Sequence, residues 1–175
     1  MQNIEPEKLK FKIYNPIIDK LSELDFTQND GSDPLLVEQY AKIKFSKGNE
    51  NTSNDNKIYV VKYEEKVIAF FTLRMSVICN NNFSEDDKDK FEEFNYPALL
   101  MSKIGIDKNY RCFKIGKFIC LFCLGLAQLT NEKLACTFFI FKTTKSLAEK
   151  IYGPKYHFRW KSTNSKLVWI YRRIV

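Results

Sequence analysis

Pro97-Ala98-Leu99-Leu100-Met101-Ser102-Lys103-Ile104-Gly105-Ile106-Asp107 leads into the loop Tyr110-Arg111-Cys112-Phe113-Lys114-Ile115-Gly116-Lys117, and the loop into Phe118-Ile119-Cys120-Leu121-Phe122-Cys123-Leu124-Gly125-Leu126-Ala127. The part from Ala98 to Ile106 is a short apolar run and reads as a buried strand. The third stretch is apolar almost all round, which predicts the central buried helix of the fold, continuing to about Thr130. Between them, Arg111, Lys114 and Lys117 bring three cations to the amino end of that helix. Unpaired N–H groups and the positive end of the helix dipole already point outward there. Each cation opposes the dipole by about 0.3–1 kcal/mol, so three of them predict a bound polyanion that reverses the sign. Gly116 lets such a ligand reach the backbone with no Cβ in the way.

Outward from this unit the pattern continues as an α/β chain. Leu9–Tyr14 alternates apolar and polar residues like a half-buried strand, and Pro16 opens a short helical segment to about Leu24. Asp33 and Pro34 start a second helix to about Phe45, and the polar loop Gly48–Asn56 comes next. Lys57–Tyr63 and Lys66–Ile78 are β-rich runs separated by Glu64-Glu65, a hairpin. Asn80–Asn95 is polar and acidic, either a solvated loop or short surface helix or a segment that attracts a cation. Beyond the central helix, Leu134–Phe141 reads as a buried strand, Thr144–Tyr152 as a short helix ended by Gly153-Pro154, and Leu167–Ile174 as the last strand. A further short strand is expected near Tyr156–Lys161. The order β-α-α-β-β-β-α-β-α-β predicts a mixed, centrally parallel sheet flanked by helices. At 175 residues it predicts a single domain over 1–175.

Charge is unevenly spread. Residues 1–100 carry 13 basic and 18 acidic side chains, and residues 101–175 carry 15 and 3. A net of +12 in the second part favours an anionic ligand such as a phosphorylated cofactor or a nucleic acid. Five cysteines, an odd number without an export signal, argue against a disulfide framework, and Cys120 and Cys123 read as small buried apolar residues. With one histidine, His157, no His-rich metal site is expected. No run reaches the roughly 20 apolar residues of a membrane span, and the start of the chain has no apolar signal core, so the expected compartment is the cytoplasm.

Arg111-x-x-Lys114-x-Gly116 resembles the acyl-CoA pyrophosphate loop of the GCN5-related N-acetyltransferases, whose usual form is Gln/Arg-x-x-Gly-x-Gly/Ala. Lys114 stands at the first loop glycine and Cys112 at the usual second-position glycine. The likeness is strongest to the transfer-RNA-acetylating toxins of toxin–antitoxin modules. Ala69-Phe70-Phe71-Thr72-Leu73, Pro97 to Asp107 and the basic loop succeed one another as the matching strands and loop do there. Ala148-Glu149-Lys150-Ile151-Tyr152 resembles the segment that precedes the family's Gly-Phe, although Gly153-Pro154-Lys155-Tyr156-His157-Phe158 is one residue longer.

The resemblance implies direct transfer from acetyl-CoA, as co-substrate, to an amine. The backbone of Ile104, Gly105 and Ile106 would pair with the pantetheine arm. The N–H groups of Arg111, Cys112, Phe113, Lys114, Ile115, Gly116 and Lys117 would hold the pyrophosphate, and Lys114 or Lys117 would reach the 3′-phosphate. Tyr152 would protonate the leaving thiolate, with His157 a possible assisting base. Ala98–Ile106 contains no carboxylate to serve as base. A lysine amine, with a pKa of about 10.4, would have to be deprotonated, whereas an α-amine at about 7.7–8.0 is already partly neutral. The α-amine of aminoacyl-tRNA therefore suits the site, and an antitoxin and a homodimer are the partners to expect. The alternatives are a small-amine or protein acetyltransferase drawing a cation to Glu85–Glu93, a CoA-binding module without turnover, and an RNA-binding domain using Tyr156 and Trp160.

Overall fold

The computed structural model describes residues 4–27 and 56–175. Seven strands are hydrogen-bonded in the order β1-β2-β3-β4-β5-β7-β6: β1 (Leu9–Ile13), β2 (Lys57–Tyr63), β3 (Lys66–Cys79), β4 (Asn95–Ile106), β5 (Phe138–Thr144), β6 (Arg159–Trp160) and β7 (Leu167–Arg173). The chain divides into two compact units, Met1–Leu73 with Lys103–Cys120, and Arg74–Ser102 with Leu121–Val175. The helix expected over Asp33–Phe45 and most of the loop Gly48–Asn56 lie outside the described residues.

In the first unit β1, β2 and the start of β3 form antiparallel pairs, Leu9↔Tyr63 and Tyr63↔Lys66 among them. The Glu64-Glu65 turn has both residues at positive φ, 48° and 65°, the backbone that a two-residue hairpin requires. Leu21, Leu24, Phe26, Ile58, Val60 and Phe70 make one apolar core, each burial worth about 1.5–3 kcal/mol. Pro16 does not open a helix. The segment turns at 16–18 and then makes only the single 3₁₀ turn Leu21–Glu23. Asp19 is spent on a buried ion pair with Lys62 at 2.5 Å.

In the second unit β5 runs parallel to β4 from Ala98↔Phe138 to Met101↔Phe141 and antiparallel to β7 along its whole length. The parallel centre therefore comes down to one pair of strands, the other described pairings being antiparallel. Alternation along β5 sends Phe138 and Ile140 into a core with Ile78, Phe83, Ala98, Leu100 and Tyr171. It sends Phe139 and Phe141 to the opposite face, against Phe158. β5 starts four residues later than the expected Leu134. The preceding helix runs on to Leu134, the chain then turns through Ala135 at φ 50°, and β5 extends to Thr144 because β7 pairs it that far.

The short helix α1 (Glu85–Lys88) carries the acidic segment, and α2 (Ile115–Leu134) is the long helix. α2 is buried on one face, through Ile115, Ile119, Cys120, Cys123, Leu124 and Ala127, and not all round. Leu121 and Leu129 are exposed. Cys120 and Cys123 are buried and form no disulfide, as expected. Among the described residues no helix is long and apolar enough to cross a membrane, and no group of His, Cys, Asp and Glu side chains could hold a metal ion.

Candidate functional site

The first unit builds the loop that the sequence singles out. β4 ends at Ile106, and the buried Asp107 fixes the turn after it. Its carboxylate accepts the N–H of Asn109 at 2.9 Å and the N–H of Asp25 at 3.0 Å, while its own N–H donates to the Ile68 carbonyl at 3.0 Å. Lys108 is hydrogen-bonded to Asp25 and, with Thr27, holds that carboxyl well below the usual carboxylate range. Both carboxylate oxygens of Asp107 thus serve the backbone and position the loop.

Lys108–Phe113 then wind as a 3₁₀ helix. Arg111 turns back, donating from Nε to the Ile106 carbonyl at 3.2 Å and from a terminal nitrogen to the Thr27 carbonyl at 2.9 Å. Its guanidinium clamps the strand end, so the cations left at the loop surface are the exposed Lys114 and Lys117. Lys114, in the place of the pattern's glycine, adopts the glycine conformation, with φ 62° and ψ 21°. Its carbonyl then accepts the N–H groups of Lys117 at 2.9 Å and Phe118 at 3.4 Å, which starts α2. The first-turn N–H groups that the helix leaves without an internal acceptor are those of Ile115 and Gly116.

Two glycines here differ in kind. A Cβ on Gly105 would sit 2.6 Å from the Phe70 ring and 2.8 Å from the Phe26 ring, so the apolar core demands glycine. A Cβ on Gly116 would meet only Ile106 Cδ1, at an ordinary 3.6 Å. The protein's own packing leaves room for alanine at 116. Ile104 and Ile106 are half-buried on the part of β4 beyond Met101, where the described register with β5 ends. Cys112 is exposed and Phe113 half-buried.

The second unit carries Tyr152. The helical segment does not stop at Gly153-Pro154. It passes from α3 (Lys145–Leu147) through a π turn, Ala148–Tyr152, into α4 (Gly153–Tyr156). Proline lacks an N–H and crowds the carbonyl four residues back. The wider turn relieves this, the Gly153 N–H reaching the Ala148 carbonyl five residues away. Tyr152, half-buried at the end of that turn, stands edge-on to Phe141 at 4.9 Å between ring centroids and to Phe158 at 5.9 Å. Gly153 is required by Trp160, whose ring lies 2.9 Å from where its Cβ would be. His157 is exposed, in the left-handed conformation that ends α4.

A cavity of about 610 Å³ opens beside this helix among Asp86, Glu149, His157, Arg159 and Trp160. Of the acidic segment, Ser84 and Asp86 line it. Asp87 is buried and accepts hydrogen bonds from Arg159 at 2.5 Å, Lys90 at 3.0 Å and the Tyr171 hydroxyl at 2.8 Å. Burial alone would raise its pKa, but these donors outweigh burial and hold it below the ordinary carboxylate value. Burial is also the main cause that pushes Tyr171 up to about 12. Sequence reasoning missed this cluster, and its one trace was a tyrosine in the apolar strand Leu167–Ile174.

No protein-family model matches the sequence, and no curated protein matches it. Solved structures do match its shape. A tyrosine-to-phenylalanine mutant of KacT superposes with a TM-score of 0.72 at 12% identity, over 95% of each chain. AtaT complexed with acetyl-methionyl-tRNAfMet gives 0.69 at 12% identity, over 92% of this chain and 93% of that one. A tyrosine-to-phenylalanine mutant of the toxin AtaT, bound to the C-terminus of the antitoxin AtaR and acetyl-CoA, gives 0.67 at 11% identity, over 95% and 94%. The chain has the fold of these toxins, the GCN5-related N-acetyltransferase fold expected from its motifs.

Proposed function

We propose that the chain, as one domain over 1–175, is an acetyl-CoA-dependent N-acetyltransferase acting on the α-amine of aminoacyl-tRNA, a toxin restrained by an antitoxin. The observation that carries this reading is the backbone at Lys114. A lysine held at φ 62° keeps the turn of a glycine loop, ahead of a Gly116 that the protein's own packing does not require. The shared fold supports it, since AtaT has been solved with acetyl-CoA, with an antitoxin segment and with acetyl-methionyl-tRNAfMet.

In this reading the N–H groups of Ile115 and Gly116, with Lys114 and Lys117, receive the pyrophosphate and 3′-phosphate. The backbone of Ile104–Ile106 pairs with the pantetheine arm. The amine lone pair attacks the thioester carbon, the C–S bond breaks, and the Tyr152 hydroxyl gives its proton to the departing thiolate. The surplus proton of the new amide leaves to water, which is feasible for an α-amine already partly neutral at pH 7, and water returns a proton to the Tyr152 phenolate. Both substrates place the reaction in the cytoplasm. Because Lys114 takes the glycine conformation, its presence does not favour a module without turnover. A second reading, acetylation of a small cationic amine, is favoured by Asp86 and Glu149 on the 610 Å³ cavity.

Gly116→Ala and Tyr152→Phe test the proposal together. Alanine at 116 should leave melting unchanged or raise stability by about 0.5–1 kcal/mol, yet weaken acetyl-CoA binding at least tenfold. Tyr152→Phe should bind acetyl-CoA normally and lose roughly 10²–10⁴ in kcat. Unaltered acetyl-CoA affinity in Gly116→Ala would sink the loop assignment, and labelled acetyl transferred to polyamines but to no charged tRNA would select the second reading.

A further inference from the structure

Three consecutive residues of the first unit, Asp25, Phe26 and Thr27, turn toward one place, the end of β4 and the loop after it. The Asp25 N–H donates to Asp107 Oδ2 at 3.0 Å, and the Asp25 carbonyl accepts the Lys108 N–H at 2.8 Å. The Asp25 carboxylate pairs with the Lys108 ammonium and accepts the N–H and the hydroxyl of Thr27 at 2.9 Å and 2.7 Å. The same ammonium reaches Thr27 Oγ1 at 3.3 Å, and Arg111 donates to the Thr27 carbonyl at 2.9 Å. Between these two polar residues Phe26 is buried, its ring 2.8 Å from where a Cβ on Gly105 would be. Asp25 and Asp107 are 82 positions apart in sequence, so the brace is a tertiary feature and not a local turn.

These contacts occupy two of the four cations between residues 108 and 117. Lys108 is committed to Asp25 and Thr27. Arg111 is committed to two backbone carbonyls, and its remaining terminal nitrogen is buried with no hydrogen-bond partner among the described residues. Cations that receive a phosphate from solution face solvent, as Lys114 and Lys117 do. A guanidinium fork placed on carbonyls fixes direction, a task that a point charge on a flexible stem does not perform.

We infer that Asp25, Thr27, Lys108 and Arg111 are positioning residues: they hold the turn between β4 and the loop in the form that receives acetyl-CoA, and none of their side chains touches the phosphates. The inference rests on the proposed function, which puts the co-substrate at this loop. A loop already fixed loses little freedom when the ligand arrives. Loosening the brace therefore weakens acetyl-CoA binding and leaves the transfer step unchanged.

The test sets acetyl-CoA affinity, by calorimetry on the full chain, beside kcat at saturating acetyl-CoA on a pool of aminoacylated tRNA. Thr27→Val, which keeps the side-chain shape and removes the hydroxyl, and Lys108→Met should each weaken binding about five- to tenfold. Their kcat should stay within about twofold of the wild type. Thr27→Ser, which restores the hydroxyl, should bind as the wild type does. Arg111→Lys keeps the charge but not the fork, and should bind as weakly as Arg111→Met. Circular dichroism reports whether each variant is folded, and the two Thr27 variants decide the matter should the arginine variants not fold. Wild-type affinity in Arg111→Lys would mean a point charge on a phosphate, and unchanged affinity in Thr27→Val and Lys108→Met would mean an idle brace. Either result, or a fall in kcat at unchanged affinity, overturns the inference and leaves the proposed reaction intact. No acetyl-CoA binding by the wild type would overturn the proposed function and the inference with it.

Discussion

At the scale of single residues, three glycine positions show how far letters and backbone can part. Gly105 and Gly153 are fixed by rings that stand where a side chain would begin, Phe70 and Phe26 at the first and Trp160 at the second. At position 114 the glycine letter is gone but its conformation persists. A side chain in the left-handed region costs about 1–2 kcal/mol, so Lys114→Gly should recover up to about 1 kcal/mol once the greater freedom of glycine in the unfolded chain is set against it. In a chain of this size that is a rise of roughly 2–4 °C in Tm. The same variant loses a cation beside the proposed phosphates and should bind acetyl-CoA severalfold more weakly by calorimetry. A lower Tm together with unchanged binding would mean that the lysine is held by contacts within the protein. The sequence discloses the spacing of the loop and its charge, but the dihedral that matters is visible only in three dimensions.

At the scale of elements, the hairpin at Glu64-Glu65, the strand before the loop and the long helix are legible because period and turn signals agree there. The acidic stretch after β3 is not. Charge density suggests a solvated segment, yet Asp87 is pulled inside by Tyr171, which is 84 positions away in sequence. The cluster predicts two pH limbs. Asp87 has a folded-state pKa below its unfolded value, so its contribution is present above the ordinary carboxylate range and is lost as pH falls through the lowered folded value. Tyr171 has the opposite sign of effect. The unfolded chain ionises it near 10, the folded protein at about 12, so stability falls as pH rises from about 10 to 12. Tyr171→Phe should cost about 1–2 kcal/mol at pH 7, through the lost hydrogen bonds. It should also have a flatter alkaline limb than the wild type, by on the order of 2 kcal/mol between pH 9 and pH 12 in urea titrations. Parallel alkaline limbs would show that the hydroxyl does not sense the cluster. The helical segment before β6 misled the sequence reading for a related reason. Gly153-Pro154 normally ends a helix, and only the five-residue hydrogen bond from Gly153 to Ala148 lets it continue.

At the scale of the whole molecule, the asymmetry of charge is the property that sequence reports best, because it needs no fold. Fifteen of the 28 basic side chains, against three of the 21 acidic ones, lie beyond residue 100. If a charged tRNA is the acceptor, its KM should respond steeply to salt. Each neutralised phosphate releases counterions, and several such contacts cost about 10²–10⁴ in affinity between 50 and 200 mM salt. Acetyl-CoA, with fewer phosphates, should show a shallower slope in the same assay. Equal slopes for the two substrates would count against a polyanionic acceptor.

The backbone at Lys114 has a consequence for how such proteins are found. In the proposed reading, what this turn shares with a glycine loop is a torsion angle, and a lysine supplies it. A scan for the glycine spelling will pass over chains of this kind. A scan for the angle itself, together with a helix whose first turn offers an uncrowded N–H, would gather them whatever residue stands there.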